Sequence, residues 1–302
     1  MVSTRIGSLA LINDTLRDVS STQTRLADLQ QQISSGLKSR DFAGLNGSVE
    51  QFTQVNGQIE RAQQFAINNR LNISKLQTTD IALANIGELA DQIKNAIVGT
   101  NGANIGTSNL AQQVTDLLAS IGGELNASFN GAFIFGGTDT LNPPVPSTTV
   151  TNTANGIPDD NYYTGSKQNA TLRADERTEV EFPVRADDIA FQKIYAAARQ
   201  AINAVNSRDT TQLQAAQQLI QDGLRDLTAV RSRLGGTVNN IQQTDARLQD
   251  LRTYWQQLSD GISKTDIVQA STEVAGYQAI LQATFQVYAR LSQLRLSDFL
   301  RS

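Results

Sequence analysis

The chain has 302 residues, a formal net charge of -4 and an apolar content of 39%, with aromatic residues at only 6%. This composition predicts long helices with narrow apolar stripes in place of a thick globular core. Cysteine and histidine are both absent, which excludes disulfides, thiolate chemistry and Ser-His-Asp catalysis, and removes the commonest zinc ligands. The acidic balance, without a basic run, argues against nucleic acid as a partner.

The N-terminal segment has the apolar spacing of a long helix that packs along a partner. Apolar residues recur at alternating intervals of three and four, with Gln23 and Gln30 in the same stripe. The apolar members form the predicted N-terminal seam, which consists of Leu9, Ile12, Leu16, Val19, Leu26, Ile33 and Leu37, with Leu29 alongside. Because so narrow a stripe does not stabilise an isolated helix, we expect a second helix to cover it.

The C-terminal segment from Asp266 to Leu300 has the same character and contains no proline. Its apolar members form the predicted C-terminal seam, which consists of Ile267, Val274, Leu281, Phe285, Tyr288, Leu291 and Phe299. A helix of this length extends for about 50 Å, which is too long to lie over one compact core. We therefore expect the two terminal helices to pack on each other and both seams to serve in assembly.

Long helices are also predicted on both sides of the middle of the chain. One covers about 49–97, and Ser108 is expected to cap a shorter helix after it. On the returning side, Asp209 or Thr210 is expected to cap a very long helix. The pair Gly235-Gly236 is predicted to interrupt that helix, as a kink or as a point of close packing.

The middle of the chain has a different composition. All five prolines lie between positions 143 and 183, where they exclude long helices. Short strands are predicted at 132–135, 161–164, 169–174 and 178–184. We interpret this region as a small β-rich insertion.

The order of elements is symmetrical: terminal helix, long helix, insertion, long helix, terminal helix. It predicts a mainly α fold, a long antiparallel helical bundle built from both termini, with coiled-coil terminal helices and the β-rich insertion at the far end. The predicted segments are 1–45 (N-terminal coiled-coil helix), 46–130 (first half of a helical rod), 131–188 (insertion), 189–260 (second half of the rod) and 261–302 (C-terminal coiled-coil helix).

Two patterns suggest chemistry, and both have a simpler explanation. Ser35 and Lys38 fit S-x-x-K, and Ser259-Asp260 and Lys264-Thr265 resemble the other serine β-lactamase motifs. That chemistry needs a rigid pocket around the serine, whereas these residues lie at breaks in narrow helices, so we interpret the match as coincidence.

The acidic pairs Asp159-Asp160 and Asp187-Asp188 are candidates for paired carboxylates or a cation site. Neither has the further oxygen ligands of a calcium loop at fixed spacing, so we interpret both as solvated loops. The sequence therefore predicts no catalytic residue, no metal and no cofactor, and a protein that is not an enzyme.

Four stretches resemble members of the flagellin superfamily. Residues 33–44 (ISSGLKSRDFAG) resemble the turn after the first flagellin helix, and 231–244 (RSRLGGTVNNIQQT) resemble a signature on the returning helix. Residues 273–300 are similar to the flagellin tail. Residues 131–140 (GAFIFGGTDT) resemble the segment that leads into the outer domain in the hook-filament junction members. The remaining insertion, from about 147 to 185, matches nothing comparable.

The resemblance implies a structural subunit of the bacterial flagellum that joins hook to filament and assembles with copies of itself in a ring or helical array. It implies contacts with the first hook-associated protein, with flagellin and with a flagellar export chaperone. Nucleic acid is not expected as a partner because of the acidic balance, and a membrane is not expected because no stretch approaches the ~18 apolar residues of a membrane span. It also implies an extracellular location, reached unfolded through the flagellar type III apparatus. This route agrees with the N-terminus, which makes a poor secretory signal.

Two other functions stay open at this point. One is filament flagellin, as a major or minor subunit. The other is an enzyme or adhesin carried in the insertion, although no cluster of convergent polar residues is clear there. Because both seams are narrow and include polar positions, we also expect the terminal helices to be largely unfolded in the free subunit.

Overall fold

The computed structural model describes residues 2–39, 41, 45, 47–100, 102–146 and 156–300, with side chains described from residue 13 to residue 290. In this part of the chain there are six helices: α1 (Val2–Ser35), α2 (Val49–Gly99), α3 (Leu110–Leu125), α4 (Ile189–Ser207), α5 (Thr210–Ser263) and α6 (Ile267–Leu300). The strands β1 (Ser128–Phe129) and β2 (Ala132–Phe133) form one antiparallel pair, and β3 (Thr171–Arg173) and β4 (Glu179–Glu181) form another. The predicted mainly α bundle with a small β insertion is confirmed.

The chain divides into two compact units. One comprises Met1–Glu60 and Arg252–Ser302, and the other comprises Arg61–Leu251. Both α2 and α5 contribute residues to both units. The five segments expected above stay a prediction.

In the unit formed by 61–251, α4 is the central element of the core. Its alanines Ala196, Ala197 and Ala198 are fully buried, and a helix that is small and apolar on nearly every side can be enclosed by its neighbours. It packs against α3 and shares one apolar cluster with residues of α2, α3 and α5. The helix begins at a cap in which the Asp188 carboxylate accepts a hydrogen bond from the Ala190 N–H, at 3.1 Å.

The helix boundaries confirm one predicted cap and correct two other expectations. Asp209 Oδ1 accepts from the N–H groups of Thr211 and Gln212 at 2.9 and 3.1 Å, so Asp209 caps α5. Ser108 does not cap α3, because the residue at the cap position is Asn109 and it makes no side-chain cap bond. At Gly235-Gly236 the expected close packing is wrong: α5 continues through both glycines, and outside the neighbouring backbone of the helix no atom lies within 4 Å of a Cβ built on either.

The insertion is less β-rich than predicted, and the expected strand at 161–164 is wrong. That segment is a turn and loop that is anchored by its tyrosines. The Tyr162 ring stacks on Tyr195 of α4 with centroids 4.2 Å apart, and its hydroxyl donates to the Ala186 carbonyl at 2.8 Å. The Tyr163 hydroxyl donates to the Ser166 carbonyl at 2.6 Å. Adjacent aromatic residues suggested a strand, but here Tyr162 attaches the loop to α4 and Tyr163 bonds within the loop.

The acidic pairs are structural, which corrects the solvated-loop interpretation. Asp159 Oδ2 lies 2.6 Å from a guanidinium nitrogen of Arg199, whose side chain is only 2% exposed. Removing one member of a buried pair leaves an uncompensated charge, so this contact ties the loop to α4. Asp187 bonds Arg185 through both carboxylate oxygens. Beyond capping α4, Asp188 also bonds a guanidinium nitrogen of Arg233 on α5.

Two glycines of α5 provide a test of the α4–α5 contact. A Cβ at Gly223 would lie 2.9 Å from Ile194 Cγ1 and 3.2 Å from the Ala190 carbonyl oxygen. We expect Gly223→Ala to lower the free energy of unfolding by about 1 to 2 kcal/mol because overpacking outweighs the gain in helix propensity. The measurement is urea unfolding followed by circular dichroism. The control Gly235→Ala lies in open space on the same helix and should raise the free energy of unfolding by up to about 1 kcal/mol. Equal stabilisation by both variants would contradict the close packing at Gly223.

Because the protein contains buried tyrosines, we expect it to lose stability in alkali. Burial raises the pKa of Tyr163 to about 12, from an ordinary value of 10.0. Because the folded-state pKa is the higher one, this stabilisation is complete below pH 10 and is lost as the pH rises towards 12. Tyr163→Phe should therefore reduce the fall in unfolding free energy over this interval, measured by urea unfolding at a series of pH values. A fall in unfolding free energy that is as large in Tyr163→Phe as in the unsubstituted protein would refute the assignment.

Candidate assembly surface on the terminal helices

The terminal helices α1 and α6 contact each other. The C-terminal end of α1 meets the N-terminal end of α6, where Leu37 and Lys264 form an antiparallel β-bridge, so the two helices run in opposite directions from this point. Near it, Leu29 is 3% exposed and Ala270 is 4% exposed. The predicted packing of the two terminal helices on each other is confirmed.

The buried stripe of α1 differs in part from the predicted N-terminal seam. Val19, Leu26 and Ile33 are half-buried, as a seam requires, whereas Gln23 and Gln30 are exposed. The other positions with reduced exposure are Thr15, Thr22, Leu29 and Gln32. Both stripes obey the same three- and four-residue spacing, and only the position of α6 selects between them.

Two members of the N-terminal seam lie uncovered in the single chain. Leu16 is 54% exposed and Leu37 is 37% exposed. The side chains of Leu9 and Ile12 lie outside the described residues. Since the structure contains one copy of the chain, the role of this seam in assembly stays a prediction.

The C-terminal seam is also divided. On α6, Val274 and Leu281 are half-buried together with Tyr277 and Thr284. The seam residues Ile267, Phe285 and Tyr288 are exposed by 52%, 52% and 45%. The side chains of Leu291 and Phe299 lie outside the described residues.

An apolar surface of α6 therefore remains uncovered by α1. Besides Phe285 and Tyr288, it includes Ile280 and Val287, which are more than half exposed. The sequence from Val274 to Ala289 contains no charged residue. Phe285 and Val287 are two positions apart and so lie on different sides of the helix, flanking the half-buried stripe. Apolar side chains exposed in an uncharged stretch mark a surface that binds another molecule, so this run of α6 is the candidate assembly surface.

At the inner end of the pair, residues 36–38 and 261–265 bond to each other, and we name this region the clasp. The Lys38 N–H donates to the Ser263 carbonyl at 2.8 Å, and the Thr265 N–H donates to the Gly36 carbonyl at 3.0 Å. The Lys38 ammonium donates to the Gly261 carbonyl at 2.6 Å. Next to the clasp, Asp266 Oδ1 accepts from the N–H groups of Val268 and Gln269 and caps α6, which the sequence analysis had missed.

The β-lactamase-like residues come together at the clasp but do not form that catalytic site. The Ser35 hydroxyl donates to the Gln31 carbonyl at 2.9 Å, and Lys38 is engaged with Gly261. The Ser259 hydroxyl bonds Asn56 Oδ1 at 3.0 Å. In these contacts each serine bonds an oxygen of another residue and not a lysine, so neither Ser35 nor Ser259 is activated by a neighbouring base there.

Across the part of the chain that the structure describes, no three acidic side chains are grouped so that they could hold a metal ion. Within the same residues, no helix combines the length and apolar character that crossing a membrane requires.

Two leucines of α1 provide a test of the helix pair. Leu29→Ala removes a buried side chain between α1 and α6 and should weaken the pairing by about 2 to 3 kcal/mol. The weaker pairing should appear as faster hydrogen exchange of the α6 segment 270–284 in the full-length monomer. Leu16→Ala truncates an exposed side chain of the same type and should change exchange little. Equal acceleration by both variants would contradict the observed burial of Leu29.

Comparison with known proteins gives matches at both ends of the chain. Residues 6–140 match the family model of the bacterial flagellin N-terminal helical region, and residues 217–300 match that of the bacterial flagellin C-terminal helical region. Together these matches span more than two thirds of the chain. No curated protein matches the sequence significantly.

Solved structures with the same fold include two flagellar proteins. A protein from Vibrio parahaemolyticus described as a flagellar hook-associated protein matches with a TM-score of 0.58 and 14% identity, over 74% of this chain and 99% of that one. FlgL from Bacillus cereus matches with a TM-score of 0.50 and 16% identity, over 64% of this chain and 98% of that one. At these identities the similarity concerns the fold. On the strength of the two family-model matches, the chain belongs to the flagellin superfamily.

Proposed function

We propose that this protein is a structural, non-enzymatic subunit of the bacterial flagellum that assembles through its terminal helices. The observation that carries the proposal is the uncharged run of α6, in which Ile280, Phe285 and Val287 are more than half exposed although α6 is paired with α1. Exposed apolar area of this kind is stabilised when a neighbouring subunit covers it. Membership of the flagellin superfamily supports the same conclusion.

Within the flagellum, the proposed role is that of the adaptor between hook and filament. Three observations support it: the segment GAFIFGGTDT at 131–140, the small insertion, and the fold shared with two proteins described as a hook-associated protein and as FlgL. The proposed partners are further copies of the chain, the first hook-associated protein, flagellin and an export chaperone. The proposed location is extracellular, after export in unfolded form.

Filament flagellin is the second candidate. It is favoured by the two family models, which describe the helical regions of flagellin itself. A filament subunit would use the same terminal helices to contact its copies, so the two candidates differ in their position along the flagellum and not in the surface that assembles.

A gene deletion separates these functions. For the adaptor, we expect hooks without filaments and flagellin released into the medium, seen by electron microscopy and by immunoblotting of the supernatant. Loss of the filament without released flagellin would favour the filament subunit. Normal filaments on the deletion strain would refute the adaptor role and the role of a major filament subunit.

Complementation of the same strain tests the assembly surface. Phe285→Asp places a charge in the uncharged run and should fail to restore filaments, because assembly would bury an unpaired carboxylate. The matched control is Ser271→Asp, which adds the same charge at an exposed position of α6 outside that run and should restore filaments. Circular dichroism and secretion of each variant establish that both fold and are exported. Full function of Phe285→Asp would contradict the proposed surface.

A further inference from the structure

Within the unit formed by 61–251, the apolar cluster stops before the ends of the two long helices. Its members begin at Leu76 on α2 and end at Ile241 on α5. Beyond these points lie 61–72 of α2 and 242–251 of α5, which we name the end segments. Along the chain, the end segments connect this unit to the residues of the other one. They therefore need contacts other than those of the apolar cluster to stay in place.

The end segments bury little apolar area. Their buried apolar side chains include Ala62 and Ala66 on α2, which are 7% and 3% exposed, and Leu248 on α5, which is 7% exposed. The larger residues Ile67 and Leu71 of the same α2 segment are 42% and 50% exposed. Because the stabilisation from burial scales with apolar area and alanine contributes only a methyl group, packing holds these segments weakly.

The turn between β3 and β4, residues 174–178, is a structured part of the insertion. Asp175 Oδ1 accepts from the N–H groups of Arg177 and Thr178 at 2.8 and 2.6 Å, and the Ala174 N–H donates to the Thr178 carbonyl at 2.9 Å. An aspartate that bonds the main chain two residues on stabilises a turn. Ala174 and Asp175 are 0% and 8% exposed, so the turn packs against other elements of the unit.

On one side, the turn bonds the end segment of α2. The Asn69 amide donates to the Ala174 carbonyl at 3.0 Å, and the Asn69 side chain is fully buried. Loss of a buried partner leaves the carbonyl unsatisfied, so this bond contributes to the position of α2. The Arg61 guanidinium also lies 3.1 Å from the Glu176 carboxylate. Because more than half of each of these two side chains is exposed, this ion pair contributes little.

On its other side, the same turn bonds the end segment of α5. A guanidinium nitrogen of Arg247 donates to Asp175 Oδ2. The Asp175 side chain is only 11% exposed, and its other oxygen already accepts the two N–H groups of the turn. A carboxylate that is shielded in this way depends on its cationic partner more than an exposed one does. Adjacent residues of one turn, Ala174 and Asp175, thus connect α2 to α5.

We propose that the turn 174–178 is a strap that ties the end segments of α2 and α5 together where the apolar cluster stops. Opening that begins in the weakly stabilised terminal helices then ends at the strap and does not spread into the unit formed by 61–251. Helices open most readily from their ends, and a tertiary bond near an end raises the free energy of that opening. The strap is a property of the single chain and does not depend on the flagellar role.

Hydrogen exchange of the purified full-length monomer, analysed by mass spectrometry, tests the strap. In the unsubstituted protein, we expect 61–69 and 242–251 to exchange at least about tenfold more slowly than 13–20 and 280–290. Exchange of the end segments as fast as that of the terminal helices would overturn the proposal, because nothing would then stop the opening at the strap.

Two variants break the strap from opposite sides, and each is measured on the helix that does not carry the substitution. Arg247→Ala on α5 should accelerate exchange of 61–69 on α2 at least about fivefold, and Asn69→Ala on α2 should do the same for 242–251 on α5. Exchange of α4 at 194–204 should change little, because the apolar cluster encloses that helix. Unchanged exchange on the opposite helix in both variants, or equal acceleration in α4, would overturn the strap.

The matched control is Arg177→Ala. It removes the same charge as Arg247→Ala, but from an exposed side chain of the turn itself, and it leaves the bonds to Asn69 and Arg247 in place. We expect the exchange of both end segments to stay at the rate of the unsubstituted protein. Acceleration as large as that in Arg247→Ala would assign the effect to net charge and overturn the strap.

The strap and the proposed function fail separately. If Arg247→Ala accelerates exchange of 61–69 but Phe285→Asp restores filaments, the strap stands and the assembly surface does not. If neither strap variant changes exchange on the opposite helix and the deletion strain lacks filaments as expected, the strap fails and the flagellar role stands.

Discussion

The pairing of two narrow-striped helices is the contact on which the terminal unit depends. Neither α1 nor α6 has enough apolar surface on one face to be stable alone, and the positions of α1 that are shielded include threonines as well as leucines. Each helix thus relies on the other for its burial. Because α1 covers only a narrow stripe, apolar residues of α6 stay exposed. The small buried area that makes the pair weak therefore also leaves apolar surface to which a further chain could bind.

The unit formed by residues 61–251 follows the opposite principle. Here α4 is enclosed by its neighbours, and the base of the insertion is held to it by a stacked pair of tyrosines and by the buried Arg199 side chain. Interiors of this kind tolerate little change in volume, as the close approach of Gly223 to Ile194 illustrates. The chain thus combines one well-packed unit with a terminal unit whose helices are incompletely buried.

Several polar residues that the sequence suggested as catalytic, cation-binding or solvent-exposed have structural roles instead. Asp159 pairs with Arg199, Asp188 caps α4, and Lys38 bonds the carboxyl-terminal turn of α5. Each bond satisfies a group at a helix end or a charge near the core, which would otherwise destabilise the fold. These contacts position the loops and the terminal helices, and the exposed apolar residues of α6 take no part in them.

The sequence by itself determined the helices, their order and their partners at the two ends of the chain, because helical periodicity and breaking residues are local properties. It also excluded most catalytic chemistry through the absence of cysteine and histidine. Only the tertiary structure decided that Thr22 and Leu29, and not Gln23 and Gln30, belong to the shielded stripe of α1. It alone revealed the bond from Lys38 to Gly261, which spans 223 positions. Equal spacings permit several faces, and contacts so distant in sequence exist only once the chain has folded.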